Sequence, residues 1–493
     1  MLERCYALSP RSRLDSTGGT YRLRCEHPLQ TITLNESAWR LLAALQPGVP
    51  LDTLAAGAGA DVVAFLDGLV LRGALQAEYR LLPAHDPAPV DVVVPAFGDP
   101  APLRRCLEAL AAQHYPAGHV RVTVVDDASP QALQAAVGAL PEGLMLRWLR
   151  LPHNVGPASA RNAGVLTPWP EEASTPGSPT SRSWLAFVDA DCVPVQDWLA
   201  GLAALLEDPL VAAAGGAVRG LTRQGLLGRY EDACSSLYLG ERPGPVALPD
   251  GALAYLPSCN LAVRRDAFQQ VGGFREGWRF GEDVDLCWRL YAAGHSLFYH
   301  PAPAVAHEHR TRWGAFLQRR RMYGRSEAAL RRAHPGRFGS LLQPGPMVAL
   351  AAAVLALWSR RPAAWGLVAA ALLGLAGLPL LRRLRAGADE AAWPLRMLIG
   401  AGVRRGAAQL VQQARRLNRQ LLVAWLPVLA LVPALLPLGA VVFALGALGE
   451  WLARRPALGP GSYLAGYAGE CLAYSLGRVE GLVLQTWHRM RGR

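Results

Sequence analysis

At 493 residues, 51% of them hydrophobic, the chain exceeds what one hydrophobic core serves, and two or three domains are expected. The formal net charge of +12 comes entirely from arginine, since the sequence has no lysine, and the arginines cluster between Arg310 and Arg332 and after Arg360, beside apolar runs. That placement fits anionic lipid and the positive-inside rule and sets nucleic acid aside as a partner.

The opening MLERCYALSPRSR has no apolar run for a signal peptide, and the eight cysteines form no C-x-x-C pair, so a reduced, cytosolic catalytic region is expected. To about Arg80, YRLRCEHPLQTITLN has a strand-like pattern and ESAWRLLAAL has apolar positions at helical spacing. Pro47 and Gly48 break that helix, Asp52 can cap a short one, and VVAFLDGLVLRGAL reads as another. Residues 1–82 thus form a small α+β module, and PAHDPAP, residues 83–89, a linker.

DVVVPAF follows as a continuous apolar run of the kind buried in a parallel sheet, then the helical PLRRCLEALAAQ and a second run, VRVTVVDDAS. Strand, helix and strand imply a right-handed crossover in a doubly wound sheet, where ligands sit at the carboxyl ends of strands. Pro95, Asp126 and Asp127 fall there. A low-complexity loop over residues 167–183 precedes a third strand, WLAFVDADC. After residue 335, Phe338 to Ser359, Ala363 to Leu381 and Leu421 to Gly449 are uncharged and long enough to reach across a bilayer. Pro427, Pro433 and Pro437 in the last run leave two spans, three spans or re-entrant segments open.

Asp189-Ala190-Asp191 ends the third strand, where two carboxylates at i and i+2 can converge on Mg²⁺ or Mn²⁺ together with a diphosphate. Alone, D-x-D is also what a solvated turn looks like; its position and company favour the metal. HNVGPASARNAG offers Arg161, Asn162 and backbone amides at a helix start as a cradle for diphosphate or base. SCNLAVRRDAFQQVGGF sets Ser258 and Asn260 beside a turn, and GEDVDLCWRL puts Glu282, Asp283 and Asp285 at a helix start. Asp285 reads as a cap or dipole partner. Asp283 suits the carboxylate that takes the proton of an attacking hydroxyl.

VVVPAF, VVDDAS, NVGPASARNAG, FVDADCVP, CNLAVRRDAFQQVGGF and GEDVDLCWRL, in this order, resemble the family-2 inverting glycosyltransferases. The resemblance implies the GT-A fold, a Rossmann-like doubly wound mixed sheet, over residues 90–335; the apolar runs and arginine clusters themselves give a membrane-associated helical region at 336–493. It implies that Asp127 contacts the nucleotide, Asp189 and Asp191 hold the metal and diphosphate, and Asp283 is the base with Glu282 beside it. It also suggests His307 as a further metal ligand, with His309 the alternative. On the acceptor side it points to Ser258, Asn260, Gln318 and Arg321. Gln318-Arg319-Arg320-Arg321-Met322 lacks the tryptophan of the Q-x-x-R-W motif of processive members, so addition of a limited number of sugars is expected.

The first 80 residues are similar to the PqqD-like domains that bind a leader peptide by strand addition. Module, catalytic domain and apolar tail together resemble the glycosyltransferases of the mycofactocin system. That resemblance implies a UDP-glucose donor, a peptide-derived acceptor, which can extend to a precursor peptide, and contact with membrane lipid. Two alternatives stand beside it: a membrane transferase acting on a polyprenyl lipid or exopolysaccharide, and a non-catalytic scaffold that recruits a peptide.

Overall fold

The structure is a computed structural model that describes all residues except 56, 84–86, 117, 142, 170–182, 223, 247–253, 339–392 and 491–493. Most of the expected loop at 167–183, the middle of the linker and the apolar runs at 338–359 and 363–381 therefore lie outside the described residues. The chain divides into two compact units, one of Met1–Cys5, Pro50–Asp67 and Ala77–Thr311, the other of Tyr6–Val49, Gly68–Gln76 and Arg312–Arg493. The division runs through the amino-terminal 82 residues rather than after them.

Those residues form β1 (Leu2–Leu8), β2 (Ser12–Thr17), β3 (Thr20–Glu26), β4 (Leu29–Leu34), α1 (Glu36–Ala44), α2 (Leu51–Leu54), α3 (Ala60–Leu71) and β5 (Leu75–Leu81). The stretch read as one strand-like segment is a hairpin, β3 with β4, in an antiparallel β2-β3-β4 sheet. Gly18 and Gly19, both at positive φ, make the two-residue turn between β2 and β3, which side chains with a Cβ resist. Asn35 caps α1 by accepting from Ala38 N at 2.8 Å. Asp52 lies inside the first turn of α2, whose cap position is Pro50, and makes no cap bond.

The catalytic-type domain opens with β6 (Val90–Ala96), α4 (Pro100–Ala111), β7 (Val120–Asp126), α5 (Leu133–Val137), β8 (Met145–Arg150), α6 (Pro157–Leu166) and β9 (Trp184–Val188). It continues with β10 (Cys192–Pro194), α7 (Trp198–Leu206), β11 (Val211–Gly215), β12 (Val218–Gly220), α8 (Gly225–Cys234) and β13 (Gly244–Pro245). β14 (Asn260–Arg264), α9 (Arg265–Gln270), α10 (Glu282–Ala292), β15 (Ser296–Tyr299) and β16 (Val305–His307) complete it. The main sheet has the order β13-β15-β11-β14-β9-β6-β7-β8. β6 through β9 run parallel, and β14 is antiparallel to both of its neighbours, so the sheet is mixed. This is the doubly wound mixed sheet expected from the sequence.

Both faces of the sheet are covered, which is why its strands read as largely apolar runs. On one face Leu103, Cys106, Leu107 and Leu110 of α4 pack with α7; on the other α6, α9 and α10 enclose Phe187, Phe268 and Phe274. Gly164 lets α6 lie directly on β6, because a Cβ there would stand 2.6 Å from Val93 Cγ1. Strand order reverses beside β6, and the crevice outside the carboxyl ends of β6, β7 and β9 is the expected ligand position.

The second unit holds α11 (Trp313–Ala333), α12 (Leu395–Leu431), α13 (Leu436–Arg454) and α14 (Pro460–Met490). α11 and α14 pack in parallel and very closely: a Cβ on Gly324 would lie 2.0 Å from Tyr474 O, and one on Gly477 1.8 Å from Arg321 O. The apolar run Leu421 to Gly449 is not one helix but two, broken at Val432 to Leu435. Among the described residues one helix, Pro433–Arg454, is long and apolar enough to cross a membrane.

Candidate active site

The D-x-D turn starts where β9 ends, and Cys192 N donates to Asp189 O at 3.0 Å to close it. Asp189 and Asp191 keep 30% and 25% of their side chains exposed, so both carboxylates open to the crevice. A small second sheet then brings a distant residue to them. β10 pairs antiparallel with β16 in the register Cys192↔His307, and Glu308 N donates to Asp191 O at 2.9 Å. His307 Nε2 consequently stands 3.6 Å from Asp191 Oδ1, and Arg310 3.9 Å from Asp191 Oδ2.

Ligand-type atoms of Asp191, Cys192 and His307 lie within 4.8 Å of one another. His307 Nδ1 is 3.1 Å from His309 Nδ1; a proton on His307 in that bond leaves Nε2 as a lone pair facing Asp191. Burial pushes the Cys192 thiol well above its ordinary pKa, so it stays protonated and is a poor ligand. The donor set left, a carboxylate and an imidazole beside an open crevice, fits a divalent cation that takes its remaining ligands from a diphosphate.

α10 starts after Gly281, which sits in the left-handed region at φ 76° and turns the chain so that Glu282 and Asp283 head the helix. Arg161 of α6, 1% exposed, joins the two acidic motifs: Nη2 donates to Asp189 at 2.5 Å and Nη1 to Glu282 at 3.0 Å. The two carboxylates hold the guanidinium charged despite burial, raising its pKa further. Asp283 forms no direct ion pair with that guanidinium, whose charge lowers its pKa only in part. Ser258 N donates to it at 3.4 Å and Val284 N at 2.8 Å, while burial and then the Glu282 charge push its carboxyl up to about 7. A carboxyl titrating near neutrality at the head of a helix, one arginine away from a D-x-D turn, is suited to general-base work.

Other residues expected at the site have different surroundings. Asp126 accepts from Ser129 N, Leu133 N and Arg150, and so organises the loop after β7. Asp127 accepts from Val155 N at 2.7 Å and Gly156 N at 2.8 Å; the amides expected to cradle diphosphate already face this carboxylate. Pro95 is half-buried near the carboxyl end of β6. Arg161 is a bridge between acids rather than an exposed phosphate clamp.

Two expectations need correction. Asn162 is spent in both directions on Phe274, donating to its carbonyl at 2.7 Å and accepting from its amide at 2.9 Å, which ties α6 to the VGGF turn. Asn260 is wholly buried; it accepts from Trp198 Nε1 and donates to Ala217 O and Pro303 O, so it joins core segments and cannot meet an acceptor. Ser258 does lie beside Asp283, through its backbone. Gln318 and Arg321 are on α11 in the second unit, where Arg321 pairs with Glu480 of α14. Asp285, read as a cap or dipole partner, is fully buried between Arg275 at 3.1 Å and Arg289 at 2.8 Å. Arg310, Cys192 and the arginine partners of Asp285 were not singled out; Arg310 alone had a signal, as the cation ending AVAHEHR.

Residues 87–324 match the family model described as "Glycosyltransferase like family 2". The chain is 37% identical over 259 residues to the pre-mycofactocin glycosyltransferase of Mycobacterium tuberculosis, in strains CDC 1551 and H37Rv, a match covering 52% of this chain and 50% of that protein. It thus spans about half the length of those curated relatives. It is also similar to the glycosyltransferase AglE of Haloferax volcanii, at 26% identity over 212 residues, 43% of this chain and 64% of that protein. Among solved structures, a mannosyltransferase of Pyrobaculum calidifontis in complex with GDP-Man and Mn²⁺ aligns with a TM-score of 0.38 and 21% identity, covering 67% of this chain and 89% of that one.

Proposed function

We propose that residues 87–324, which match the family-2 glycosyltransferase model, make this chain an inverting hexosyltransferase that adds β-linked glucose from UDP-glucose to the peptide-derived cofactor mycofactocin or its precursor. The observation that carries the reading is the pairing of unlike acids across Arg161. Asp189 and Glu282 both pair with the guanidinium, at 2.5 Å and 3.0 Å, while Asp283, beside them, has its carboxyl pushed up to about 7. The likeness to the mycobacterial pre-mycofactocin enzyme supports the acceptor.

In the reaction proposed, Asp283 takes the proton of the acceptor hydroxyl as its oxygen attacks the anomeric carbon from the face opposite the diphosphate. One displacement inverts that carbon and releases UDP. Mn²⁺ or Mg²⁺, held by Asp191 with His307 and by Asp189 across the turn, would neutralise the departing diphosphate. Arg161 fixes the spacing between the leaving-group side and the base side, and positioning of this kind is a large part of transfer catalysis. The amino-terminal module is assigned to peptide docking, and the domain is placed on the cytoplasmic face of the cell membrane, where nucleotide sugars are made.

The test is incubation of membranes containing the full chain with labelled UDP-glucose, Mn²⁺ and the peptide-derived acceptor. Label should enter the small acceptor and be abolished by EDTA. Label in an extractable lipid instead would move the acceptor to the polyprenyl class, which the exposed apolar helix α13 favours; no transfer to any acceptor, with no donor hydrolysis, would leave a scaffold.

A further inference from the structure

The break in the third apolar run creates a helical hairpin with an unusual distribution of charge. α12 carries Arg404, Arg405, Arg415, Arg416 and Arg419, and α13 ends in Glu450, Arg454 and Arg455; between Arg419 and Glu450 there is no charged residue. The two limbs are antiparallel and closely seated. A Cβ on Gly439 would lie 2.8 Å from Leu429, one on Gly446 2.4 Å from Asn418, and one on Gly449 2.5 Å from Val411. Small residues at such a seam are how helices associate where no water drives them together. Arg415 pairs with Glu450 at 2.9 Å, which places the charged ends of both limbs at one level.

Beyond that level α14 covers one side of the hairpin, Val423 N donating to Ser475 Oγ at 3.2 Å and Arg478 to Gln420 O at 3.1 Å, and the rest is apolar and exposed to the tip: Leu426, Val428, Val432 and Leu436 are exposed and Leu431 is 83% exposed. The tip also presents few unsatisfied backbone donors. Val432 N donates to Val428 O at 2.9 Å, Leu435 N to Val432 O at 2.9 Å, and Leu436 N to Pro433 O; Pro433 and Pro437 have no N–H at all. A turn that satisfies its own donors is a requirement of hydrocarbon and not of water.

We propose that the α12–α13 hairpin is a monotopic membrane anchor: it dips into one leaflet of an anionic bilayer and returns, leaving both arginine-rich ends on the same side. The length decides against a span. Gln420 to Leu431 and Leu436 to Gly449 extend about 18 Å and 21 Å at roughly 1.5 Å per residue, short of the hydrocarbon thickness of about 30 Å. α13 alone passes a length criterion for crossing, but its partner limb would then draw Arg415, Arg416 and Arg419 into the core. Trp451, beside Glu450 and Arg454, sits at the headgroup level where tryptophan is enriched. The arginines at that level meet anionic headgroups. The inference concerns the membrane attachment named above and is independent of the chemistry proposed for the first unit.

The test uses the full chain added from outside to liposomes of phosphatidylcholine and phosphatidylglycerol. All eight native cysteines are buried, so single introduced cysteines report selectively: Arg404→Cys and Ala453→Cys at the two ends, Leu431→Cys at the tip. An impermeant maleimide outside should label both ends and not the tip. A fluorophore on Leu431→Cys should be quenched by lipids brominated on their acyl chains. Labelling of the tip by maleimide trapped in the lumen would make the hairpin a span and overturn the proposal. Equal tip labelling with and without liposomes would overturn it as well, whether the tip stays in water or is covered by another part of the chain. Donor hydrolysis, followed on the same samples, reports the transferase reading separately.

Discussion

Three acids share the first turn of α10, and each has a different electrostatic partner. Asp285 lies between two arginines, Glu282 pairs with Arg161, and Asp283 is hydrogen-bonded to backbone amides, with the Arg161 charge only partly offsetting its burial. Asp283→Asn keeps the size of the side chain and cannot take a proton, so kcat should fall about 10²- to 10⁴-fold with donor affinity close to wild type. The wild-type rate should climb with pH and level off above about 7, since the base works only when ionised and its pKa is raised to about that value. Stability has the opposite sign. A carboxyl whose pKa is raised on folding holds its proton more tightly in the native state, so stability falls as pH rises from the ordinary aspartate range to about 7. Asp283→Asn should therefore melt no lower than wild type at pH 8, and a clearly lower Tm there would contradict the burial argument. Arg161→Met should behave differently, because it strands Asp189 and Glu282 beside an apolar side chain; a loss of about 3–5 kcal/mol in denaturant unfolding is expected.

At the scale of elements, glycines set the close approaches. Gly324→Leu would force side-chain atoms into Tyr474 O at the seam of α11 and α14, and overpacking of this kind costs about 1–3 kcal/mol; the unfolding midpoint of the variant measures it. The elements themselves were largely legible from the sequence. Val92 to Val94, Val124 to Val125 and Trp184 to Val188 are apolar because helices cover both faces of the sheet, while Asp91 and Arg121 in the same strands are buried as an ion pair. What a polar residue does inside a motif was less legible. Asn162 and Asn260 stand in polar-looking segments, yet both point inward to satisfy backbone groups, and nothing in residue type separates that from a ligand contact. His307 was reachable only through family resemblance, because its nearness to Asp191 depends on a register between β10 and β16 more than a hundred residues apart. The break at Val432 to Leu435 was marked by Pro433 and Pro437, which left re-entrant segments open, but proline spacing alone does not say where the two helices end.

For the molecule as a whole, the first 82 residues are less separable than their composition suggests. Leu2 and Tyr79 belong to the same buried cluster as the main sheet, Tyr79 meets Phe298 edge to face at 5.0 Å, and Arg4 pairs with Asp208. A chain beginning at residue 83 should therefore lose several degrees of Tm in calorimetry, since it removes core side chains; an unchanged Tm would restore the picture of an independent module. The account as a whole rests on a single displacement driven by Asp283, and the anomeric configuration of the product tests that most directly. UDP-glucose carries an α-linked sugar, and proton NMR of the product released by the full chain with Mn²⁺ should show a β-linkage that disappears in Asp283→Asn. An α-linked product, or β-product formed by Asp283→Asn at the wild-type rate, would contradict it.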